Sequence, residues 1–568
     1  MTLTGWVLIG VFVALVGALV VPLGGYMAKV FSGESTFAHP VLGSIEVGFY
    51  RLCGVDEAKE QGWFTYAVCF LGFHLLGVLV LYGLLRLQAW LPLNPQHFKG
   101  VAPDLAFNTA ISFVTNTSWQ SYAGESTLSN LSQMLGIAVA SFLSGAAGVA
   151  AAVALIRGFA RSGAETIGNF WVDLTRAVLY VFLPLSILGA IVLGIEGVPQ
   201  TLHANVPATT VEGSSQTVAL GPVASQESIK LMSGDGGGFF NANSAHPFEN
   251  PNARTNLEEM LLIFVVGAAL TNTFGRMIGS PRQGWVLLAV MAVLFVGGTA
   301  LVYADEAHGN PVLAHAGISG ANMEGKEVRF GPAGSSLFAE VSTASADGAV
   351  NSMHDSYMPI SGLVLMANMK IGEVIVGAPG SGLFSMILFA IIAVFIAGLM
   401  VGRTPEYLGK KMETREVQFA MLATLTPPVV TLGFTALAVV LPAGLAGREA
   451  TGPHGLSEIL YAFTSAAATN GSAFAGLSAN AVYYNVTLAL AMAIGRFATI
   501  VPVLALAGAL AAKPRMTPSA GSMPTDNVLF ASLLIGVILI VGGLTYFPVL
   551  TLAPGLEQMS LSRVADAR

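Results

Sequence analysis

Charged residues are scarce in this chain of 568 residues, of which they make up only 10%. A soluble domain carries about 25% charged residues, and the mean hydropathy of this chain is +0.70. The composition therefore excludes an ordinary soluble protein and indicates one that folds in lipid. The 65 glycines agree with this reading, because small residues let transmembrane helices pack closely.

Cysteines, basic clusters and nucleotide motifs are also few or absent in the sequence. The two cysteines, Cys53 and Cys69, exclude a disulfide framework and have no histidine or cysteine at metal-ligand spacing, so both are interpreted as structural. The net charge of −7, without any block of basic residues, argues against nucleic acid as a partner. The sequence contains no Walker motif and no Asp-Lys-Thr-Gly phosphorylation motif, so this chain alone is not expected to hydrolyse ATP.

Long apolar runs dominate what is present, and a run of about 20 apolar residues predicts a transmembrane helix. The run near the N-terminus lacks a basic start and a small-residue cleavage site, so it is interpreted as the first helix rather than a signal peptide. The sequence thus predicts an all-α integral membrane protein. Its ten predicted spans lie near residues 4–28, 64–90, 131–157, 171–195, 258–278, 284–303, 383–402, 418–442, 486–512 and 528–550.

Four polar segments interrupt this apolar pattern, each after a half-apolar stretch that is mostly too short to span the membrane. The polar segments are 115–118, 233–251, 377–382 and 469–472, and the stretches before them are 105–114, 225–232, 359–376 and 459–468. At membrane depth, irregular backbone occurs only where it is buried in protein or lines a water-filled cavity. The pattern predicts four pseudo-repeats of helix, re-entrant pore helix, filter loop and helix, plus one extra helix at each end.

The predicted division of the chain follows these repeats. Residues 1–62 hold the N-terminal helix and a cytoplasmic loop, and residues 516–568 hold the C-terminal helix. The four pore repeats are assigned to residues 63–165, 166–280, 281–415 and 416–515. The long segments 197–224 and 304–357 are rich in small residues and are interpreted as caps over the pore mouth.

The distribution of Lys and Arg predicts the orientation, because cytoplasmic loops carry an excess of these residues. If the first helix begins outside, both termini and the filter loops face outside, and five short connections face the cytoplasm. Those connections carry 14 of the 25 basic residues, namely Lys29, Arg51, Lys59, Arg157, Arg161, Arg176, Arg276, Arg282, Arg403, Lys410, Lys411, Arg415, Lys513 and Arg515.

The polar segments have the chemistry of a selectivity filter. Backbone carbonyls replace the hydration shell of a cation, and glycine adopts the backbone angles that aim successive carbonyls at one path. Hard oxygen ligands suit alkali and alkaline-earth cations. One carboxylate, Asp235, is recognised as a candidate ligand in the second segment, which favours a monovalent ion; the alternative role for Asp235 is the N-cap of a following helical turn.

Several other polar residues have two interpretations. Arg496 lies within a long apolar helix, where it faces a cavity or partner, or else forms a structural ion pair. Lys370 and Glu373 are spaced for an i,i+3 ion pair. His246 is interpreted as a hydrogen-bonding brace rather than a metal ligand, and the basic stretch 403–415 as a cytoplasmic coupling face or membrane anchor.

Four motifs, GGGFFNANSAHPFENP, VTNTSWQSYAGE, TNGSAFAGL and GRTPEYLGKK, resemble the A subunit of the bacterial Kdp potassium-transporting ATPases. The resemblance covers essentially the whole chain. It implies membership of the superfamily of potassium transporters with four channel-like repeats, in the bacterial cytoplasmic (inner) membrane. It also implies three partners: a P-type ATPase subunit that hydrolyses ATP, a further subunit facing outside, and a small membrane peptide.

The resemblance also implies a set of residues that bind K⁺, the transported ion. Gln120 would tune ion affinity, and Arg496 affinity or coupling. The second segment reads Ser-Gly-Asp where the family often reads Gly-Thr-Asn, and the third has little of the Thr-Asn pattern. The implied ion-binding residues are Thr115, Asn116, Thr117, Gly234, Asp235, Gly236, Ser381, Gly382, Thr469, Asn470 and Gly471.

Two other functions stay open at this point. One is an autonomous potassium channel or gradient-driven transporter of the same superfamily. The other is a membrane scaffold whose loops only pack. Ion flux through the purified chain alone distinguishes the first, and loss of all ion dependence with intact loops distinguishes the second.

Overall fold

The computed structural model describes residues 1–402, 404–516 and 523–566. Within these ranges ten helices are long and apolar enough to cross a membrane, which confirms the predicted number. Their bounds are α1 Leu3–Phe31, α3 Trp63–Leu87, α5 Ser132–Ala160, α6 Phe170–Ile195, α8 Ala253–Met277, α9 Pro281–His308, α12 Ser381–Val401, α13 Thr414–Val440, α15 Val482–Ala512 and α16 Val528–Leu550.

Four shorter helices are packed between these spans, and almost all of their residues are buried. At 1.5 Å per residue they are about 15–24 Å long, which is less than the hydrocarbon core of about 30 Å. We call them the pore helices. They are α4 Pro103–Val114, α7 Val223–Met232, α10 Gly331–Ala344 and α14 Gly452–Ala467.

The third pore helix is not where the sequence pattern predicted it. The segment 304–357, interpreted above as a cap, contains α10. The stretch 359–376 instead forms α11 (Pro359–Lys370), and an interhelical segment, 371–380, separates it from α12. Three glycines of that segment have a positive φ, which glycine tolerates, and Pro379 lacks a backbone N–H. The predicted third filter loop is therefore largely a break between two helices.

Further elements include the surface helix α2 (His39–Cys53), the hairpin β1–β2 (Val206–Thr209 with Ser215–Val218), the hairpin β3–β4 (Glu406–Tyr407 with Lys410–Lys411) and the last helix α17 (Leu556–Asp566). The main helix contacts join α1 to α8 and α13 to α15.

Basic connections meet at one end of the bundle. The Lys410 ammonium donates to the carbonyls of Arg161 and Lys513, at 2.5 and 2.6 Å, and Arg515 donates to the Ile278 carbonyl at 2.9 Å. We call this end the basic face. Arg403, which the orientation argument also used, lies outside the described residues.

The pore helices begin at the opposite end. Helix α15 ends next to Lys513 at the basic face, and near its other end Asn485 donates to Asp104, in the first turn of α4, at 2.8 Å. We call this opposite end the filter face.

Candidate ion-binding site

Each pore helix ends in a short loop with the same backbone turn. We define loop 1 as residues 115–118, loop 2 as 233–236, loop 3 as 345–348 and loop 4 as 468–471. The second residue of every loop has a left-handed backbone; these residues are Asn116, Gly234, Ala346 and Thr469, with φ of +59°, +61°, +55° and +53°. Alternating right- and left-handed conformations turn successive peptide groups the same way. The four loops thus share a left-handed turn at their second residue, and loops 1, 2 and 4 have a second one at their fourth residue (Ser118, Gly236 and Gly471).

Loops 1 and 2 are joined directly. The Asn116 amide donates to the Gly234 carbonyl at 2.7 Å, and the Ser118 hydroxyl donates to the Asp235 carbonyl at 2.6 Å. Thr115 and Thr117 have their hydroxyl oxygens 2.8 Å apart. The polar side chains of loop 1 therefore hold both their own loop and its neighbour.

Loops 3 and 4 complete the ring. The Gly348 N–H donates to the Asp235 carbonyl at 3.1 Å, which joins loop 3 to loop 2. The Asn470 amide donates to the Ser342 carbonyl, at the end of α10, at 2.9 Å. A Cβ on Gly471 would overlap the Thr117 carbonyl, so loop 4 returns to loop 1. The four loops surround one axis.

Ser381 and Gly382 are the two predicted site residues that lie elsewhere. They begin α12, where the Ser381 hydroxyl donates to the Ala378 carbonyl at 3.1 Å and Gly382 packs against the Val376 carbonyl. Loop 3 occupies the place that was assigned to them. A signal for it was present in the sequence, because Ser-Ala-Asp-Gly at 345–348 closely repeats Ser-Gly-Asp-Gly at 233–236.

Two carboxylates, rather than the single one recognised in the sequence, lie at the ring. Asp235 and Asp347 are fully buried. Neither carboxylate oxygen of Asp235 accepts a well-formed hydrogen bond among the described residues, although the Ser141 hydroxyl is close. Asp347 uses one oxygen to accept from the Ala349 N–H at 2.9 Å. No helix in the described chain begins at Asp235, so its interpretation as an N-cap is wrong.

A buried carboxylate without partners is unfavourable unless a cation or a proton neutralises it. Asp235 is therefore placed to attract a cation to the loops.

Two side chains hold the segment that directly follows loop 2, on the side of the filter face. The Gln120 side-chain amide donates to the Gly238 carbonyl and accepts from the Gly238 N–H, both at 2.9 Å. The His246 ring stacks on Phe240 at 3.7 Å and accepts from the Phe248 N–H at 3.1 Å. These contacts confirm the interpretation of His246 as a brace.

A cluster of buried charged side chains, which sequence reasoning missed, contacts the backbone that directly follows loop 2. The Lys230 ammonium donates to the Gly237 carbonyl and lies 2.8 Å from Glu227 and 2.7 Å from Glu249. The second oxygen of Glu249 accepts from the Phe240 N–H at 2.7 Å. Lys230 and both glutamates are almost completely buried. The signal for this cluster was the Glu-x-x-Lys spacing, which puts both charges on one face of a helix.

Arg496 lies at the end of the ring away from the filter face. Its guanidinium donates to the Ser144 carbonyl at 3.1 Å, and the Ser144 hydroxyl donates to the side-chain oxygen of Asn116 at 3.0 Å. Arg496 is only 4% exposed, and its Nε has no hydrogen-bond partner within the part of the chain that the structure describes. No ion pair links it to a carboxylate among the described residues, so the alternative of a structural ion pair is wrong.

The predicted ion pair of Lys370 and Glu373 does not form either. Helix α11 ends at Lys370, and Glu373 has a left-handed backbone with φ of +58°, so the two do not share a helical face. The Lys370 ammonium contacts the Met366 sulfur at 3.9 Å, and Glu373 accepts from the Thr469 hydroxyl at 3.5 Å. Both residues line a cavity of about 60 Å³ together with Arg496.

The interhelical segment passes beside the ring at the depth of Arg496. A Cβ on Gly234 would come within 3.1 Å of Ala378, and one on Gly148 within 2.8 Å of the Pro379 carbonyl. The Gly377 N–H donates to the Ala344 carbonyl, at the end of α10, at 3.3 Å. Arg496 and this segment therefore stand on the side of the loops that leads towards the basic face.

The fold and the ring of loops define a polytopic membrane protein with four pore loops around one axis. Residues 10–559 match the family model described as Potassium-transporting ATPase A subunit. The chain belongs to this family.

Similar proteins named potassium-transporting ATPase potassium-binding subunit occur in Methylobacterium nodulans and Bradyrhizobium diazoefficiens. The first is 61% identical to this chain over 99% of it and 98% of its own length. The second is 57% identical over 99% of this chain and 99% of its own length. Among solved structures, the potassium transporter TrkH from Vibrio parahaemolyticus is similar with a TM-score of 0.49 and 14% identity, over 74% of this chain and 83% of that one.

Proposed function

We propose that this chain is the potassium-binding and translocating subunit of an ATP-driven potassium importer. The observation that carries the proposal is the ring of four loops, which share one backbone turn and contact each other around the buried carboxylate of Asp235, which no basic side chain of the described residues pairs with. The names of the relatives, which are called potassium-binding subunits, support the identity of the ion.

The proposed ion ligands come from all four loops. Loops 1, 2 and 4 contribute the residues expected from the sequence: Thr115, Asn116 and Thr117; Gly234, Asp235 and Gly236; Thr469, Asn470 and Gly471. Loop 3 takes the place of Ser381 and Gly382. Gln120 acts indirectly, because its two hydrogen bonds to Gly238 fix the backbone that follows loop 2.

The filter face is proposed to lie outside the cell and the basic face in the cytoplasm. The meeting of Lys410, Arg161, Lys513 and Arg515 at one end supports this orientation, since Lys and Arg mark the cytoplasmic side. Both termini are then outside, in a bacterial cytoplasmic (inner) membrane.

The energy for import is proposed to come from partner subunits. The family model is named for an ATPase, whereas the sequence of this chain holds neither a Walker motif nor an Asp-Lys-Thr-Gly motif. A P-type ATPase subunit would therefore hydrolyse ATP, with a further outward-facing subunit and a small membrane peptide in the complex.

Arg496 is proposed to separate this protein from an open channel. Its buried charge lies beside the inner ends of loop 1 and of the interhelical segment, where it would repel a cation that left the filter along the axis.

The test compares the purified chain alone with the assembled complex, each in liposomes loaded to report potassium. We expect ATP-dependent uptake by the complex and no flux through the chain alone. Rapid flux through the chain alone would show an autonomous channel. ATP hydrolysis by the complex that does not respond to potassium, with intact loops, would show that the loops only pack.

A further inference from the structure

A second group of polar side chains lies at the filter face, away from the four loops. It consists of Asp355, His454 and Glu458, whose ligand atoms all lie within 4.8 Å of one another. Asp355 follows loop 3 in the chain, and His454 and Glu458 are one turn apart on α14. The ion path described above uses none of them.

The group has the composition of a transition-metal site, and one pair of its ligand atoms is close to the spacing of zinc ligands. Zn²⁺ binds imidazole nitrogen at about 2.0–2.1 Å and carboxylate oxygen at about 2.0–2.2 Å, so two tetrahedral ligand atoms stand about 3.4 Å apart. The His454 Nε2 lies 3.1 Å from the Asp355 Oδ1. Three protein ligands would leave a fourth position for water.

Each ligand is already held in place by a neighbouring group. The His454 Nδ1 lies 2.9 Å from Glu557 of α17, and such a carboxylate fixes the imidazole so that Nε2 faces the metal. The two oxygens of Glu458 accept from the N–H groups of Glu449 and Ala450, both at 3.0 Å. The second oxygen of Asp355 accepts from the Gly476 N–H at 3.2 Å.

Gly476 has no side chain, and this leaves room for the carboxylates of Asp355 and Glu458. A Cβ at this position would lie 2.7 Å from Asp355 Oδ2 and 2.8 Å from Glu458 Oε1. Any other residue at this position would therefore displace the two carboxylates.

We propose that Asp355, His454 and Glu458 form a binding site for a divalent transition metal, best filled by Zn²⁺, with Glu557 orienting the histidine. The site joins the segment after loop 3, the fourth pore helix and the last helix of the chain. His454 and Asp355 are partly exposed at the filter face whereas Glu458 is buried, so the metal enters past the first two side chains.

The experiment measures zinc bound by the assembled, chelator-stripped complex at pH 7.5, by equilibrium dialysis and elemental analysis. We expect one saturable Zn²⁺ per chain in the wild type, and its loss in His454→Gln and Asp355→Asn. Glu557→Gln should retain the site with about 10–100-fold weaker affinity, as for other groups that orient a ligand. His203→Gln, at an exposed histidine of the segment before β1, is the matched control and should bind as the wild type does.

The proposal is overturned if the wild type binds no more zinc than His454→Gln, or if His203→Gln loses the same zinc. A measurement on the wild type alone covers the case in which the variants do not assemble. Co²⁺ in place of Zn²⁺ should give the visible absorption of a tetrahedral nitrogen–oxygen site, and its absence also overturns the proposal.

Discussion

Gly236 shows how little room the ring leaves at a single residue. Its φ is +87°, and a Cβ there would overlap the backbone nitrogens of Gly348 and Ala349 and come within 2.6 Å of an Asp347 oxygen. The atoms it would meet belong mainly to the backbone of loop 3, which cannot swing aside as a flexible side chain does. The residue thus fixes the distance between two loops as well as the direction of its own carbonyl.

Gly236→Ala should therefore weaken ion binding without preventing assembly. Backbone strain of about 1–3 kcal/mol, at about 1.4 kcal/mol per tenfold, predicts a rise of roughly 5- to 100-fold in the potassium concentration that half-saturates ATPase activity. The control is Gly10→Ala, on α1, where a Cβ meets nothing within 4 Å. An unchanged half-saturating concentration would remove Gly236 from the site.

Lys230 acts on the ion through a neighbouring carbonyl rather than by contact. Lys230→Met should free the Gly237 carbonyl and leave Glu227 and Glu249 without their shared cation, which raises half-saturating potassium and alters its discrimination from sodium. Lys326→Met is the control, because Lys326 is equally buried and pairs with Glu306 at 2.8 Å, outside the ring. If both variants change potassium dependence alike, the effect is general destabilisation.

Arg496→Met should uncouple ATP hydrolysis from uptake or open a passive leak, because it removes a fixed positive charge and keeps an unbranched side chain. The assay pairs ATPase rate with potassium flux in the same liposomes. Arg254→Met, at an arginine whose side chain is 85% exposed, should keep normal coupling. Normal coupling without leak in Arg496→Met would leave the arginine with only a structural role through Ser144.

At the scale of elements, the third repeat departs most from the sequence pattern. In this repeat the interhelical segment separates α11, which ends at Lys370, from α12, which begins at Ser381. Its pore helix α10 lies upstream of the predicted position, within a segment rich in small residues. The break places carbonyls and glycines beside the ring, at the depth of Arg496. The stretch 359–376 thus resembles the pore helices and their loops in composition but has a different position around the axis.

The reassignment of loop 3 can be tested with a pair of variants. Asp347→Asn should raise half-saturating potassium, because it removes a buried negative charge beside loop 2. Ser381→Ala should have little effect, because its hydroxyl donates to the Ala378 carbonyl, just before α12, and not to one of the four loops. The opposite pattern, with Ser381 decisive and Asp347 silent, would restore the original assignment.

The sequence predicts the ten spans because a membrane helix leaves a continuous apolar run, and loops 1, 2 and 4 because their pore helices lie directly before conspicuous polar motifs. The third pore helix lies in a segment rich in small residues, and the Ser-Ala-Asp-Gly that follows it lacks the glycine run of loop 2 and the Thr-Asn pattern of loops 1 and 4. The interhelical segment has the glycines and apolar flanks expected of a filter. The contacts of Arg496 with Ser144 and of Glu373 with Thr469 join residues from different repeats, and spacing along one helix cannot predict them.

At the scale of the whole molecule, the ring depends on all four repeats. Asp235 is contacted from loops 1 and 3, and loop 4 closes the circle against Thr117. No single repeat contains a complete site. The selectivity of the site is therefore a property of the assembled bundle.

Potassium and rubidium should stimulate the ATPase activity of the complex, and sodium should do so poorly. A carbonyl ring compensates for lost hydration only for ions whose size and coordination suit it. The measurement is ATPase rate against the concentration of each chloride salt at constant ionic strength. Equal stimulation by sodium and potassium would contradict a selective filter.

The charge cluster behind loop 2 has a consequence for the biogenesis of the protein. Helix α7 has ten residues, including Glu227 and Lys230, so it is too short and too polar to be retained by the insertion machinery as a span. Its third partner, Glu249, emerges from the ribosome 19 residues after Lys230. The second pore helix should therefore stay outside the hydrocarbon until α8 has been made, and then enter as a unit with its charges already neutralised.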